Sequence, residues 1–196
     1  MSLKLSAVGA LMTEHRLIER MIRDMRGQLD QFEANGTLDP EYMYTAVDFV
    51  RTYADRCHHG KEEDILFREL ASRPMSTEHA DMMQALIADH TWARGTTRAL
   101  VAATDRYAAG DFAAAAEARG LMRALVDFYP GHIEREDHGF FKPAMEYLEP
   151  DEKETMAEEF REFDRLLIHE KYQQLAETLE ARHGTSEGQT RATARD

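Results

Sequence analysis

A repeated pattern of histidines and glutamates constrains this sequence more than any other feature. A histidine is followed 44 residues later, or 42 in the second copy, by another histidine with a glutamate four positions beyond it. The pattern occurs at His15, His59 and Glu63, and again at His90, His132 and Glu136. Two histidines and one carboxylate from each half are the ligands expected of a two-metal centre inside a four-helix bundle. The sequence therefore predicts a metal site.

Distances along the chain predict that the four histidines lie at one level. Each is separated by 19 to 21 residues from a predicted loop, near residues 35–40 or residues 110–111. At 1.5 Å per residue, each of these helical stretches is about 30 Å long. An up-down-up-down four-helix bundle would therefore bring the four histidines together.

Helical periodicity and helix-breaking residues divide the chain into five helices and no strands. The first four are predicted over about 5–34, 40–72, 76–110 and 111–148. A fifth, over about 151–182, carries an apolar stripe of Met156, Phe160, Phe163 and Leu167. The predicted fold is all-α: a bundle over 1–149, a C-terminal helix over 150–183 packed on it, and a disordered tail over 184–196.

Composition excludes several classes of protein. The chain has 196 residues, the size of one domain, and its formal net charge of −13 argues against binding nucleic acid or anionic membranes. No apolar run approaches the roughly 18 residues that a membrane span requires, and the N-terminus does not resemble a signal peptide. A single cysteine suits a reducing compartment. These features predict a cytoplasmic protein.

Two overlapping histidine–glutamate pairs occur in the second helix, and an α-helix would turn only one of them inwards. Residues four apart share a helical face, whereas neighbours point about 100° apart. The pair His59 and Glu63 shares its face with Phe67, and Glu63-Asp64-x-x-Phe67 matches Glu136-Asp137-x-x-Phe140. We therefore expect His59 and Glu63 to be ligands. His58 and Glu62 are the less favoured pair, expected to be a solvated rim.

The ligand types favour iron. Imidazole with carboxylate suits iron, manganese or zinc, and glutamates on facing helices can bridge two metals. Iron is favoured because such dinuclear sites serve redox or oxygen chemistry. Zinc and manganese remain alternatives, although zinc would lack its common cysteine ligands. Two buried glutamates without a cation would be energetically costly, which argues against a purely structural role for these residues.

The residues that carry this pattern resemble the hemerythrin-like family of HHE cation-binding domains. The matching segments are TEHRLIERM, CHHGKEEDILF, ADHTWARGTTRAL and HIEREDHGFF, between about residues 8 and 148. The resemblance implies a non-haem centre of two iron ions, bridged by the two glutamates and an oxo or hydroxo group. Members of the family bind or react with dioxygen, nitric oxide or peroxide, sense iron or oxygen, or repair iron centres.

The sequence departs from oxygen-carrying hemerythrins in two places. Arg94 stands where they have a second histidine, four residues after His90, and Glu136 stands four residues after the last histidine where they have aspartate at five. The first departure weakens the inference of reversible oxygen carriage and leaves a coordination position for water, an added ligand or a side chain. Tyr129 is the best-placed phenol, although a simple core tyrosine is the plainer interpretation.

The position of Arg94 also predicts a contact with Glu19, one helical turn beyond the histidines. Glu19 follows His15 by four residues, as Arg94 follows His90, so both extend into the same layer of the bundle. We expect the two to form a salt bridge beside the metals. The alternatives are that both side chains extend to solvent, or that Glu19 ligates iron.

Three functional classes remain open from the sequence. The leading one is a di-iron protein that binds or turns over dioxygen, nitric oxide or peroxide, with catalase-like or peroxidase-like activity as the enzymatic form. The others are a sensor or iron store, and a bundle that metal merely stabilises. The sequence does not choose among them, nor does it predict the oligomeric state.

Overall fold

The computed structural model describes residues 6–167, and this part of the chain is all-α, as predicted. The first helix, α1, spans Ala7–Asn35. Residues 40–70 are helical without a break: α2 (Pro40–Phe49), the π-helical segments π1 (Val50–His59) and π2 (Glu62–Phe67), and α3 (Arg68–Leu70). Residues 114–147 form a second compound helix, whose parts are α5 (Ala114–Glu134), π3 (Arg135–Phe140), α6 (Phe141–Ala144) and a 3-10 turn (Met145–Tyr147). Between them lies α4 (Thr77–Ala108). Residues 150–167 are helical.

The ends of these helices follow from local chemistry. Three helices begin with a side chain that accepts a hydrogen bond from a backbone N–H group left unpaired in the first turn. These residues are Ser6, Asp39 and Ser76. Pro40 follows Asp39 in the first turn of α2, where its missing N–H costs nothing. Gly36 ends α1 with φ of 72°, a left-handed conformation that favours glycine.

Three π-helical segments interrupt the two compound helices, and all of them lie next to the predicted ligands. The first two run from Val50 to His59 and from Glu62 to Phe67, and the third from Arg135 to Phe140. A π-helix closes its hydrogen bonds over five residues rather than four, so each turn holds more residues than an α-turn. Side chains in these segments therefore do not follow the 100° spacing of an α-helix.

The helices enclose one apolar core that contacts the predicted ligands. Helix α5 packs against α1 and α4, and α4 packs against α2 and π1. Leu100, Leu125 and Val126 are fully buried in this core. Met156 and Phe160, from the stripe predicted on the fifth helix, are buried too. The predicted helix over residues 168–183 and the predicted tail lie outside the described residues.

No helix within residues 6–167 is long and apolar enough to cross a membrane.

Candidate metal centre

Histidines from four helical stretches converge in the interior of the bundle, as the distances along the sequence predicted. His15 comes from α1, His58 and His59 from π1, His90 from α4 and His132 from α5. All five are at most 1% exposed. The rings of His59 and His90 stack with centroids 3.9 Å apart, and the His15 and His58 centroids are 4.4 Å apart.

The side chains form two adjacent groups of metal-ligand type. In each group, one donor atom from every member lies within 4.8 Å of the others. One group is His15, His58, Glu62 and Glu136; the other is His59, His90 and His132. Every one of these seven residues is buried.

The two glutamates connect the groups. Glu62 directs Oε1 towards His58 Nε2 at 3.4 Å and Oε2 towards His90 Nε2 at 3.4 Å. Glu136 directs Oε2 towards His15 Nε2 at 3.2 Å and Oε1 towards His132 Nε2 at 3.2 Å. Each carboxylate therefore presents one oxygen to each group, which is the arrangement that bridging two cations requires.

The atoms that face the centre make no hydrogen bonds. The Nε2 atoms of all five histidines and both oxygens of each glutamate are buried and unpartnered, despite separations of 3.2–3.5 Å between several of them. Buried polar atoms are costly unless they are paired, and buried charges more so. Nitrogen and carboxylate donors in this state fit a divalent or trivalent cation of the transition series.

Carboxylates on the outside of the centre orient four of the histidines. The Nδ1–H of His15 donates to Asp137 at 2.7 Å, and that of His90 donates to Glu63 at 2.7 Å. His58 and His132 pair in the same way with Glu14 at 3.0 Å and Asp89 at 3.2 Å. Because a carboxylate only accepts, these contacts leave the Nε2 of each neutral ring without a proton and directed at the centre.

These contacts reveal an internal two-fold correspondence. His15 corresponds to His90, and His58 to His132, while Lys61-Glu62-Glu63 corresponds to Arg135-Glu136-Asp137. In each half the residue before the central glutamate is a cation that pairs with the carboxylate on the matched histidine: Lys61 with Glu14, and Arg135 with Asp89. His59 has no counterpart, because the matching position is Ile133.

The prediction that His58 and Glu62 form a solvated rim is wrong. His58 is 1% exposed and Glu62 is 0% exposed, and both belong to the central groups. The physical reason is the π-helical backbone, which turns His58 and His59 inwards together and invalidates the α-helical choice between them.

The predicted inward position of Glu63 is also wrong. Its side chain is 25% exposed and contacts His90 Nδ1 and Arg94, outside the two groups. The sequence did contain a signal for the correct alignment. His15 to His58 is 43 residues, closer to the 42 of the second half, and the order base, glutamate, acid is shared by residues 61–63 and 135–137.

The predicted salt bridge between Glu19 and Arg94 does not form. Glu19 pairs with Arg16 at 3.1 Å on its own helix. Arg94 pairs with Asp55 at 2.6 Å and Glu63 at 2.7 Å, and its side chain is 33% exposed. Arg94 therefore neither crosses the bundle nor extends freely to solvent, because two carboxylates on π1 and π2 lie closer to it. Glu19 is in neither ligand group.

Aromatic rings enclose the second group of histidines. Tyr129 is 1% exposed, its ring centroid is 6.5 Å from both His59 and His132, and its hydroxyl has no hydrogen-bond partner. Phe128 stacks on His132 at 5.1 Å, and Trp92 lies against Phe128 at 4.7 Å. Tyr129 is thus a core tyrosine whose hydroxyl is available for a hydrogen bond.

The histidines differ in proton affinity because their surroundings differ. Burial lowers the pKa of His58 to about 4. Burial, with the neighbouring His90, holds the pKa of His59 well below its usual range. Burial acts in the same direction on His15, but the hydrogen bond to Asp137 and the nearby negative charge of Glu136 outweigh it and raise the pKa of His15 to about 8.

The two central carboxyls differ as well. Burial and the nearby Glu136 raise the pKa of Glu62 well above its usual range. Burial opposes ionisation of Glu136 too, but His132, His15 and His90 outweigh it and lower the pKa of Glu136. Two like-charged carboxylates in one buried space would repel, so the second ionises only with difficulty without a cation.

Comparison with known families gives one match. The family model described as hemerythrin, the hemerythrin HHE cation binding domain, matches residues 6–144. That range contains every residue of the two ligand groups. Searches of curated proteins and of solved structures give no significant match.

Proposed function

Because the chain belongs to the hemerythrin HHE cation-binding family, we propose that it holds two iron ions side by side in an up-down-up-down bundle and binds or turns over a small ligand there. The observation that carries this proposal is the set of buried, unpartnered atoms that face one another from five histidines and two glutamates. Dioxygen, nitric oxide and peroxide are the ligand candidates.

Each ion would be held by a different set of histidines, and the two glutamates would be shared. His15 and His58 would hold one ion, and His59, His90 and His132 the other. Glu62 and Glu136 would bridge them, since each directs one oxygen to each group. The five donors to one side and the four to the other make the two positions unequal. Bound iron would supply redox and Lewis-acid chemistry, and an oxo or hydroxo group could complete the bridge.

An opening from the surface to the centre favours a function in which the metal binds a small ligand over one in which it only stabilises the fold. A cavity of about 200 Å³ reaches His59 and Tyr129 from the surface. A metal that only stabilises the fold needs no such opening, and structural sites are usually closed. Catalase-like or peroxidase-like turnover is the enzymatic form of this function, and a sensor or iron store is the alternative without turnover.

Elemental analysis of carboxylate variants tests the metal centre. We expect two irons per chain in the wild type, and loss of most of this iron in Glu62→Gln and Glu136→Gln. The adjacent carboxylate provides the matched control: Glu63→Gln should retain iron with weakened affinity, because Glu63 contacts His90 rather than facing the centre. Unchanged metal content in both Glu62→Gln and Glu136→Gln would rule out the bridges.

The visible spectrum of the aerobic protein then separates the functional classes. A change in the spectrum with peroxide, and release of oxygen, would indicate turnover. A spectrum that stays constant with peroxide, nitric oxide and azide would leave only storage or stabilisation. Zinc or manganese in place of iron would be evident from the same elemental analysis.

A further inference from the structure

The cavity beside His59 has an unusual charge for this protein. It is lined by Arg51, Arg94 and Arg98 and by a single carboxylate, that of Asp55. The chain as a whole carries a formal net charge of −13. A concave region with an excess of arginine raises the local concentration of small anions.

The three arginines divide into one that is held and two that are available. Arg94 is fixed by Asp55 and Glu63, at 2.6 and 2.7 Å. Arg51 and Arg98 are exposed, and neither forms an ion pair with another residue in the described range 6–167. Guanidinium groups remain charged at any physiological pH and match the planar geometry of oxyanions.

The inner end of the cavity carries unsatisfied hydrogen-bonding groups. Tyr129 and His59 both line it, both are 1% exposed, and neither the tyrosine hydroxyl nor either ring nitrogen of His59 has a hydrogen-bond partner. An unmade hydrogen bond on a buried hydroxyl is costly. A tyrosine hydroxyl keeps its proton at neutral pH, so this group is available as a donor.

We propose that this cavity is a binding site for a small oxyanion of one negative charge, of the size of formate or nitrate. Arg51 and Arg98 attract the anion at the mouth, Arg94 forms one wall, and the Tyr129 hydroxyl donates a hydrogen bond at the inner end. The proposal deepens the proposed function, because it adds a charged class of ligand beside the His59 group. The site itself consists only of protein groups.

The test measures formate binding to zinc-loaded and metal-free protein by saturation-transfer NMR on the formate proton. Zinc excludes redox changes, and the metal-free sample separates this site from ligation to a cation. We expect saturable binding in both forms. The double variant Arg51→Gln/Arg98→Gln should weaken it at least fivefold, and Tyr129→Phe should weaken it without any change in net charge.

A matched double variant controls for overall charge. Arg26→Gln/Arg123→Gln removes two arginines that pair with Asp127 and Glu33, outside the cavity lining. This variant should bind formate as the wild type does. Absence of saturable binding in both forms would overturn the proposal, as would equal affinity in wild type and Arg51→Gln/Arg98→Gln. Binding only to the zinc form, unaffected by the arginines, would mean that formate ligates the metal instead. If formate does not bind in this way, the iron content of the protein is unaffected, and the proposed metal centre still stands.

Discussion

Single residues outside the ligand groups differ in environment even where the two halves correspond. Lys61 and Arg135 occupy matching positions, and each pairs with the carboxylate that orients a histidine. The side chain of Lys61 is 0% exposed and also lies over the Phe160 ring, 5.9 Å from its centroid. The side chain of Arg135 is 46% exposed. The same pairing is therefore buried in one half and solvated in the other.

This difference predicts unequal costs for removing the two cations. Lys61→Met should lower the free energy of unfolding by about 3–5 kcal/mol, because it removes the cation from the largely buried carboxylate of Glu14 and leaves it with the hydrogen bond from His58. Arg135→Met should cost less than about 1 kcal/mol, since water screens the exposed pair. Urea unfolding of both variants measures this. Equal losses would show that burial of the Lys61 pair has no energetic consequence.

His15 gives a pH dependence whose sign follows from its raised pKa. Its pKa is about 8 in the folded protein, against 6.5 in the unfolded chain, because Asp137 accepts from its ring and the negative charge of Glu136 lies 3.2 Å away. In the metal-free protein the resulting stability, about 2 kcal/mol, is present below pH 6.5, where His15 is protonated, and is lost as the pH rises through 8. Metal-free wild type and His15→Gln, unfolded in urea at pH 6 and pH 9, should differ more at pH 6. A difference that grows at high pH would contradict this assignment.

At the level of helices, the sequence predicted positions along the axes better than directions around them. Residue counts placed four histidines at one height, because the rise per residue of long helices is nearly constant. The direction of His58 and Glu62 could not be obtained in this way, since it depends on π-helical turns that hydrophobic periodicity does not reveal. The partners of Arg94 were missed for the same reason. Asp55 and Glu63 both lie in π-helical segments.

The π-helical segments should be the parts of the fold that depend most on metal. Without a cation, the central oxygens of Glu62 and Glu136 are buried without hydrogen-bond partners, and this favours local opening of the backbone that carries them. Hydrogen exchange should therefore slow at least tenfold on metal binding in residues 50–67 and 135–140. Residues 20–35, at the other end of α1, provide the internal control. Uniform slowing across all helices would indicate that metal acts only on global unfolding.

At the scale of the whole molecule, two similar halves form one centre with an odd number of histidines. The correspondence between residues 14–63 and residues 89–137 extends from the histidines to the carboxylates and cations around them. Among the histidines of the two groups, only His59 has no counterpart in the other half. The sequence showed the duplication clearly. Because of the extra histidine, however, the alignment from the sequence matched His59, rather than His58, with His132. Only the folded chain shows which glutamate belongs to which copy.

The row of rings formed by Trp92, Phe128 and His132 makes tryptophan fluorescence a probe of the metal centre. Trp92 is the single tryptophan of the chain and is 44% exposed, and one phenyl ring separates it from a histidine of the centre. Its fluorescence can therefore be excited selectively and assigned to one place. A coloured or paramagnetic ion beside His132 would quench that emission through space. Loading and release of the centre can thus be followed in real time, at micromolar concentration and without any label.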